Sequence, residues 1–305
     1  MNFKNILTDP IFKLLEESVN EIGLKSYIVG GFVRDLLIKK LDTKDIDIVV
    51  VGSGIELAKK VKNKLNNSSK IQIYKSYGTA MLKSKKLTLE FVGSRKESYS
   101  MKSRNPEISF GTLNEDLERR DFTINSMAIS LNRENYGALI DPFKGIVDLK
   151  NQIIKTPLDP IKTFSDDPLR MLRALRFCSQ LNFKIEPNSL RAITQNSERI
   201  SIITNERIVI ELNKILESKK PSKGFIILDE TGLLEKIIPE LNQLKGVEEI
   251  EGKTHKENFF HTLEVVDNIS KHTNNLWLRW AALLHDIGKP ITKKFNKKVG
   301  WTFHG

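Results

Sequence analysis

The run Tyr27 to Val50, YIVGGFVRDLLIKKLDTKDIDIVV, constrains the fold more than any other stretch. It sets two glycines at the mouth of a helix and two aspartates, one residue apart, at the start of an apolar strand. Alternate strand residues share a face, so Asp45 and Asp47 point to one side while Ile46 and Ile48 point to the other. Two carboxylates side by side repel, and a divalent cation between them relieves the repulsion; hard oxygen ligands suit Mg²⁺, which shares its shell with substrate phosphates. Glu90, in KLTLEFVG, has the same alternation, so a neighbouring strand would bring it to the cluster and make a two-metal site. The plain alternative is that Asp45 and Asp47 are solvated residues where a loop enters a strand. Gly30-Gly31 either lets backbone N–H groups approach a phosphate at a helix N-terminus or makes a simple tight turn.

Around this run the chain has α/β texture. Short β-like stretches (SYIVGG, DIDIVVVG, IQIYKS, GTAMLK, LTLEFVG) are separated by helical ones such as FVRDLLIKK and IELAKKVKNKL. Ile11, Leu14, Leu15 and Val19 predict one amphipathic helix over residues 1 to about 25. Gly93 to Glu118, polar and rich in Ser and Arg, is expected to be a mobile loop. From about Pro157 the strand signal nearly vanishes and apolar residues recur at three- and four-residue spacing, which predicts a helical second half. The shifts in texture divide the chain into 1–150, 151–250 and 251–305.

A length of 305 residues with 39% hydrophobic content is enough for two domains or more. Lys plus Arg outnumber Asp plus Glu by 49 to 38, a net charge of +11, which points to a polyanionic partner such as RNA. No run of about eighteen apolar residues occurs and the N-terminus is unlike a signal peptide, so a cytoplasmic protein with no membrane partner is expected. Cys178 is the single cysteine, which excludes an internal disulfide and a Cys-based zinc site and leaves a core thiol as its expected role.

Two further stretches carry chemistry. RRDFTINSMA, from Arg119, is expected to open a helix, where two arginines would oppose the helix dipole unless an anion or a fixed acid compensates them. Arg120 is thus a candidate phosphate contact, and a structural pair with Asp116 or Asp121 is the competing account. In DDPLRMLRALRF, Pro168 suits a first helical turn with Asp166 or Asp167 as cap. Arg170, Arg173 and Arg176 recur every third residue beside an apolar stripe of Leu169, Leu172 and Leu175. An Asp one turn ahead of an Arg can present acceptor and donors to a base edge. A solvated basic helix face is the other meaning of that pattern.

GGFVRD, KDIDIVV, RRDFTINSMA and DPLRMLRALRF, in that order over about residues 25 to 240, resemble the class II CCA-adding enzymes and bacterial poly(A) polymerases. These belong to the DNA polymerase beta nucleotidyltransferase superfamily. The resemblance implies an α+β fold: a head domain with a small mixed sheet, then an all-α neck and body that select the nucleotide and grip RNA. By family analogy Asp45 and Asp47 bind Mg²⁺, and Gly31 and Arg34 contact the incoming nucleotide; the strand alternation adds Glu90 as a third catalytic acid, and the glycine corner adds Gly30 to the nucleotide contacts. Arg120 holds phosphate or ribose, Asp167 with Arg170 reads the base of CTP or ATP, and Arg173 and Arg176 complete the pocket. Two positions depart from the family pattern: Asp166 stands where Glu is usual, and Ser126 where Ala is usual. The implied reaction is Mg-dependent, template-independent addition of CCA to the 3′ end of tRNA, with release of pyrophosphate. Poly(A) polymerases and A-only or CC-only tRNA enzymes share every motif quoted.

Near the end, NFFHTLEVVDNI carries His261 and AALLHDIGKP carries His285-Asp286. They resemble the HD metal-dependent phosphohydrolase motif, which implies a second divalent metal held by these three residues, with His304 as a further candidate. The HD resemblance also implies a domain continuing past residue 305, and its last aspartate ligand is not identifiable. An HD phosphohydrolase with an RNA-binding head is the rival enzyme class, and a catalytically silent RNA-binding protein the rival without chemistry. The complete acid set at Asp45, Asp47 and Glu90 argues against both.

Overall fold

A computed structural model of the chain describes every residue except 41–43, 66–69, 85–86, 101–102, 248, 251, 255–256 and 304–305, and leaves out the side chains of 97–100, 103–108 and 253–254. His304 therefore lies outside the described residues. The chain divides into two units, Met1–Asp159 and Pro160–Gly305.

The first helix, α1 (Pro10–Ile22), is shorter than its apolar periodicity suggests. Pro10 suits the first turn, the Asp9 carboxylate accepts from the Ile11 N–H at 2.9 Å, and Gly23 closes the helix in a left-handed conformation, so both ends are set by local chemistry. The five expected strands follow as β1 (Ser26–Val29), β2 (Asp45–Val50), β3 (Lys70–Tyr74), β4 (Thr79–Lys83) and β5 (Thr88–Gly93). Helices α2 (Gly31–Leu37) and α3 (Gly54–Lys64) lie between them in the chain.

Gly93 to Glu118 is not the expected loop. It forms an antiparallel ribbon of β6 (Arg95–Ser100) and β7 (Ser103–Phe110), then α4 (Leu113–Glu118). A two-stranded ribbon is held by main-chain pairing, so a polar sequence without apolar alternation forms it and leaves no periodicity to detect. Thr112 and Glu115 make a reciprocal capping box that fixes where α4 starts. Arg119 is consequently the C-cap of α4, and RRDFTINSMA does not open a helix. Positive charge at a helix C-terminus complements the dipole, which removes the conflict expected from the sequence. A 3₁₀ turn (Thr123–Asn125), β8 (Ala128–Ser130), β9 (Leu139–Ile140) and α5 (Gly145–Lys150) follow.

The sheet order is β3-β4-β5-β2-β1-β8-β9; β2 and β5 run parallel and the other neighbours antiparallel. One face is a dry core in which Ile46, Ile48, Ala80, Leu82, Leu89 and Phe91 are fully buried, and α3 packs on β4 and β5. The other face is divided. On its β1–β8 side, Tyr27, Val29 and Ala128 are roofed by Leu117 of α4, while from β2 across β5 and β4 it is only partly covered.

The second unit is helical, as its periodicity predicts: α6 (Pro160–Asp166), α7 (Leu169–Leu181), α8 (Pro187–Asn196), α9 (Asn205–Leu216), α10 (Ser222–Glu230), α11 (Leu233–Ile237), α12 (Pro239–Asn242), α13 (Asn258–Ser270), α14 (Leu276–Leu284) and α15 (Lys289–Thr292). A small hairpin of Lys294–Asn296 with Gly300–Thr302 was not expected. The buried thiol of Cys178 donates to the Phe183 carbonyl at 2.9 Å and is pushed up to about 11 by burial, as a core thiol should be.

Candidate active site

The sheet register assembles the acids. Asp47 of β2 lies directly opposite Glu90 of β5, Glu90 opposite Met81 of β4, and Met81 opposite Gln72 of β3. The next row on the same face is Val49, Val92, Thr79 and Tyr74. Above these rows lies a cleft of about 400 Å³, lined also by Tyr77, Arg95, Arg119 and Arg120. Asp45, on the Asp47 face at the start of β2, is exposed, whereas Asp47 and Glu90 are half-buried.

These carboxylates lack enough positive charge around them. Burial pushes Asp47 above the ordinary carboxylate range, Arg120 pulls it back, and Asp45 and Asp116 push it further up. Burial likewise raises Glu90, reinforced by Asp47 and Asp45 and opposed by Arg95. A hard, all-oxygen donor set whose members disfavour one another's ionisation suits a divalent cation. Asp47 and Glu90, with Asp45 beside them, fit that role.

Arg120 stands where it touches both the acids and the glycine corner. Its Nε and Nη2 donate to Asp116 Oδ2 at 3.3 and 3.0 Å, and Arg119 Nε donates to Asp116 Oδ1 at 3.0 Å. Asp116 is fully buried; burial by itself would raise its carboxyl, but Arg120 and Arg119 hold it below the usual range. The other edge of Arg120 reaches Gly30, where an added Cβ would lie 3.1 Å from Arg120 Nη1 and 3.2 Å from Asp47 Oδ2. Gly30 also has φ +74°, so the corner excludes a side chain twice over. The two accounts of Arg120 thus coexist, because Asp116 holds one edge of the guanidinium and aims the other at the corner.

Arg34 lies behind that corner. It is buried, donating from Nε to Asp35 at 2.8 Å and from Nη1 to Asn125 Oδ1 at 2.9 Å, and it is not among the residues lining the cleft. Asn125 in turn donates to Asp121 at 2.9 Å, so the chain Arg34–Asn125–Asp121 ties α2 to the turn after Arg120. A Cβ on Gly31 would lie 3.6 Å from Arg34 Nη2. Sequence reasoning named Asp116 as a possible partner of Arg120 but missed Asn125 and the sharing of Asp116 with Arg119. A polar Asn inside FTINSMA was the available signal for the first, and the spacing of three residues between Asp116 and Arg119 for the second.

In the second unit, Asp167 accepts from the Leu169 N–H at 3.2 Å and so caps α7 as its position predicts. Arg170 and Arg173 are half-exposed, and Arg173 lies over the Phe177 ring at 5.6 Å. Arg176 does not share their accessible face: it is buried and donates from Nη1 to both oxygens of buried Glu211 on α9, at 3.0 and 2.8 Å. Each three-residue step falls about 60° short of a full turn, so by the third arginine the side chain has rotated toward the neighbouring helix.

The three HD residues come together as well. Ligand atoms of His261, His285 and Asp286 all lie within 4.8 Å of one another. His285 Nδ1 is 2.8 Å from the Ala282 carbonyl, which only accepts, so Nδ1 carries a proton and Nε2, 3.3 Å from Asp286 Oδ2, is the nitrogen turned toward the other candidate ligand. Lys289 sits 2.7 Å from Asp286 and already neutralises it in part.

A mixed sheet with strand-borne acids beside a glycine corner, followed in the chain by a helical unit, is the fold of a nucleotidyltransferase head domain and helical body. Comparison with known proteins gives the particular family. The Poly A polymerase head domain matches residues 26–155, the probable RNA and SrmB-binding site of polymerase A matches 182–245, and the HD domain matches 258–304. The A-adding tRNA nucleotidyltransferase of Aquifex aeolicus is 40% identical over 215 residues, which is 68% of this chain and 26% of that protein. The multifunctional CCA protein of Shewanella frigidimarina is 36% identical over 282 residues, 89% of this chain and 64% of that one. A solved tRNA nucleotidyltransferase in complex with a primer tRNA and an incoming ATP analogue aligns with a TM-score of 0.69 at 32% identity, covering 89% of this chain and 75% of that one. The chain belongs to the family of class II CCA-adding enzymes and bacterial poly(A) polymerases. It spans about a quarter and under two thirds of the length of the two curated relatives. Among the described residues, no helix is long and apolar enough to cross a membrane.

Proposed function

We propose that this chain transfers CMP and AMP from CTP and ATP to the 3′ end of tRNA, adding CCA with release of pyrophosphate. The observation that carries the proposal is the cross-strand register of Asp47 with Glu90, set against a Gly30 corner that Arg120 faces. Asp45, Asp47 and Glu90 hold Mg²⁺, which when bound lowers the pKa of the RNA 3′-hydroxyl and stabilises the departing pyrophosphate. Gly30 and Gly31 leave room for the triphosphate against the backbone, and Arg120, braced by Asp116, holds its phosphate or the ribose. Arg34 acts through Asn125 to set the angle of α2. Asp167 and Arg170 select the base, a task that falls to side chains when no template strand is present. Residues 1–150 form the catalytic head, 151–250 the neck and body that engage nucleotide and RNA, and 251–305 part of an HD domain. His261, His285 and Asp286 fit a second divalent metal there.

The test offers purified protein, Mg²⁺ and labelled CTP or ATP to a tRNA ending before its CCA, to one ending in CC, and to unrelated RNA. Incorporation of both nucleotides into the first is expected, and no incorporation into any of them overturns the proposal. A second outcome, AMP addition only to the tRNA ending in CC, would match the A-adding relative, which is 40% identical to this chain.

A further inference from the structure

The acid row has two unlike flanks. On the β1 side lie Gly30, the start of α2 and Arg120, with the sheet face beyond roofed by α4. On the β5 side the face runs on across β4 to β3 and stays open as the cleft. Three strand spacings of about 4.8 Å extend it roughly 14 Å from Asp47.

This open flank ends in aromatic surface. Tyr74 and Tyr77 line the cleft and are 43% and 65% exposed. β3 is the open edge of the sheet, where Ile73 is 36% exposed as well, so the tyrosines stand on accessible edge surface beside the cleft. The main chain beneath Tyr77 is held firmly: Arg95 Nη2 donates to the Tyr77 carbonyl at 2.5 Å and to Thr79 Oγ1 at 2.9 Å, and Thr79 Oγ1 donates to the same carbonyl at 3.1 Å. Gly78, at φ +58°, turns the chain immediately after. The backbone is fixed and the ring is presented.

In-line displacement brings the attacking hydroxyl and the leaving pyrophosphate to opposite sides of the reacting phosphorus. The glycine corner with Arg120 suits the polyphosphate, so the attacking RNA end must approach across the other flank, over β5 and β4. Single-stranded RNA ends are gripped by aromatic rings on which bases stack, with cations near the backbone. Resting on the transferase reading above, we propose that Tyr77 is the stacking platform for the 3′-terminal base of the RNA, with Arg95 as the residue that positions it. Such a platform tolerates any base, as an enzyme whose acceptor end changes after each addition requires.

The experiment uses a tRNA that ends before its CCA and carries 2-aminopurine as its last base, titrated with protein in the absence of nucleotide. Quenching of the 2-aminopurine fluorescence by the wild type and by Tyr77→Phe, and its loss in Tyr77→Ala, is expected. In turnover, Tyr77→Ala should raise KM for RNA about 5- to 150-fold, the range given by ~1–3 kcal/mol per stacked base at 1.36 kcal/mol per tenfold, with KM for CTP and ATP within about twofold. Retained quenching in Tyr77→Ala overturns the proposal, and so does a rise in nucleotide KM with RNA KM unchanged. Because quenching needs no chemistry, and wild-type incorporation is measured separately, failure of the platform and failure of the transferase reading are told apart.

Discussion

The acid cleft of the first unit and the arginines buried in the second use the same kinds of charged side chain to opposite ends. In the helical unit charge is closed on itself. Arg176 meets both oxygens of Glu211, and Arg279, 2% exposed, donates to the main-chain carbonyls of Leu216, Ser218, Ser270 and Thr273, joining the C-terminal ends of α9 and α13. Those carbonyls carry the negative ends of the two helices, so a buried guanidinium is satisfied without a carboxylate. In the cleft, by contrast, Asp47 and Glu90 are pushed upward by burial and by neighbouring acids, which Arg120 offsets only in part for Asp47 and Arg95 only in part for Glu90. Balanced charge holds a structure together, and unbalanced charge is held ready for a ligand.

That contrast can be broken by mutation. Asp47→Ala should reduce nucleotidyl transfer on the order of 10³-fold or more, the scale of losing a principal electrostatic group, while the melting temperature holds or rises and tRNA binding by gel shift survives. Equal loss of stability and activity would make Asp47 structural and erase the distinction. Glu211→Ala should do the reverse, costing about 3–5 kcal/mol in urea unfolding because it strands a buried Arg176. If Glu211→Ala lost nucleotide affinity at unchanged stability, the helical pair would belong with the cleft. Gly30→Ala, at a positive φ that glycine alone adopts freely and against Arg120 and Asp47, should cost about 1–3 kcal/mol of stability and lower kcat as well, since the Cβ displaces both side chains.

Acid titration gives the finest separation. With EDTA present, Asp47 and Glu90 bind protons more tightly in the folded state, so stability should rise as pH falls through their values, which lie above the ordinary 3.8 and 4.5. Asp116 has the opposite sign. Its lowered carboxyl contributes stability above pH 3.8 that is lost as pH falls through its folded value. Urea midpoints of the wild type and of Asp47→Asn between pH 7 and 3 should show the early rise blunted in the variant and the late fall in both. Identical curves would place Asp47 outside the uncompensated cluster.

Much of this was legible in the chain. Asp45-Ile46-Asp47-Ile48 settles by local alternation which residues face the core and which face the cleft, and the same holds for Glu90 between Leu89 and Phe91. The change from strand to helical periodicity near Pro157 and an aspartate cap before Pro168 were equally visible, because each depends on a few adjacent residues. What escaped depends on pairing and burial that apolar periodicity does not report, whether the partners are near in sequence or far. The β6–β7 ribbon is made by main-chain pairing that a polar sequence does not advertise. The assignment of Arg119 and Arg120 to the end of a helix follows from a capping box upstream, and their bracing from an Asp116 that only folding buries. In α7 the sequence supplied three arginines at equal spacing, and the packing of α9 against one side decided that Arg176 would be the buried one. Side-chain direction within an element is a local property of the backbone and is written in the sequence. Which charge meets its opposite, and which is left facing a ligand, is decided only when distant strands and helices come into register.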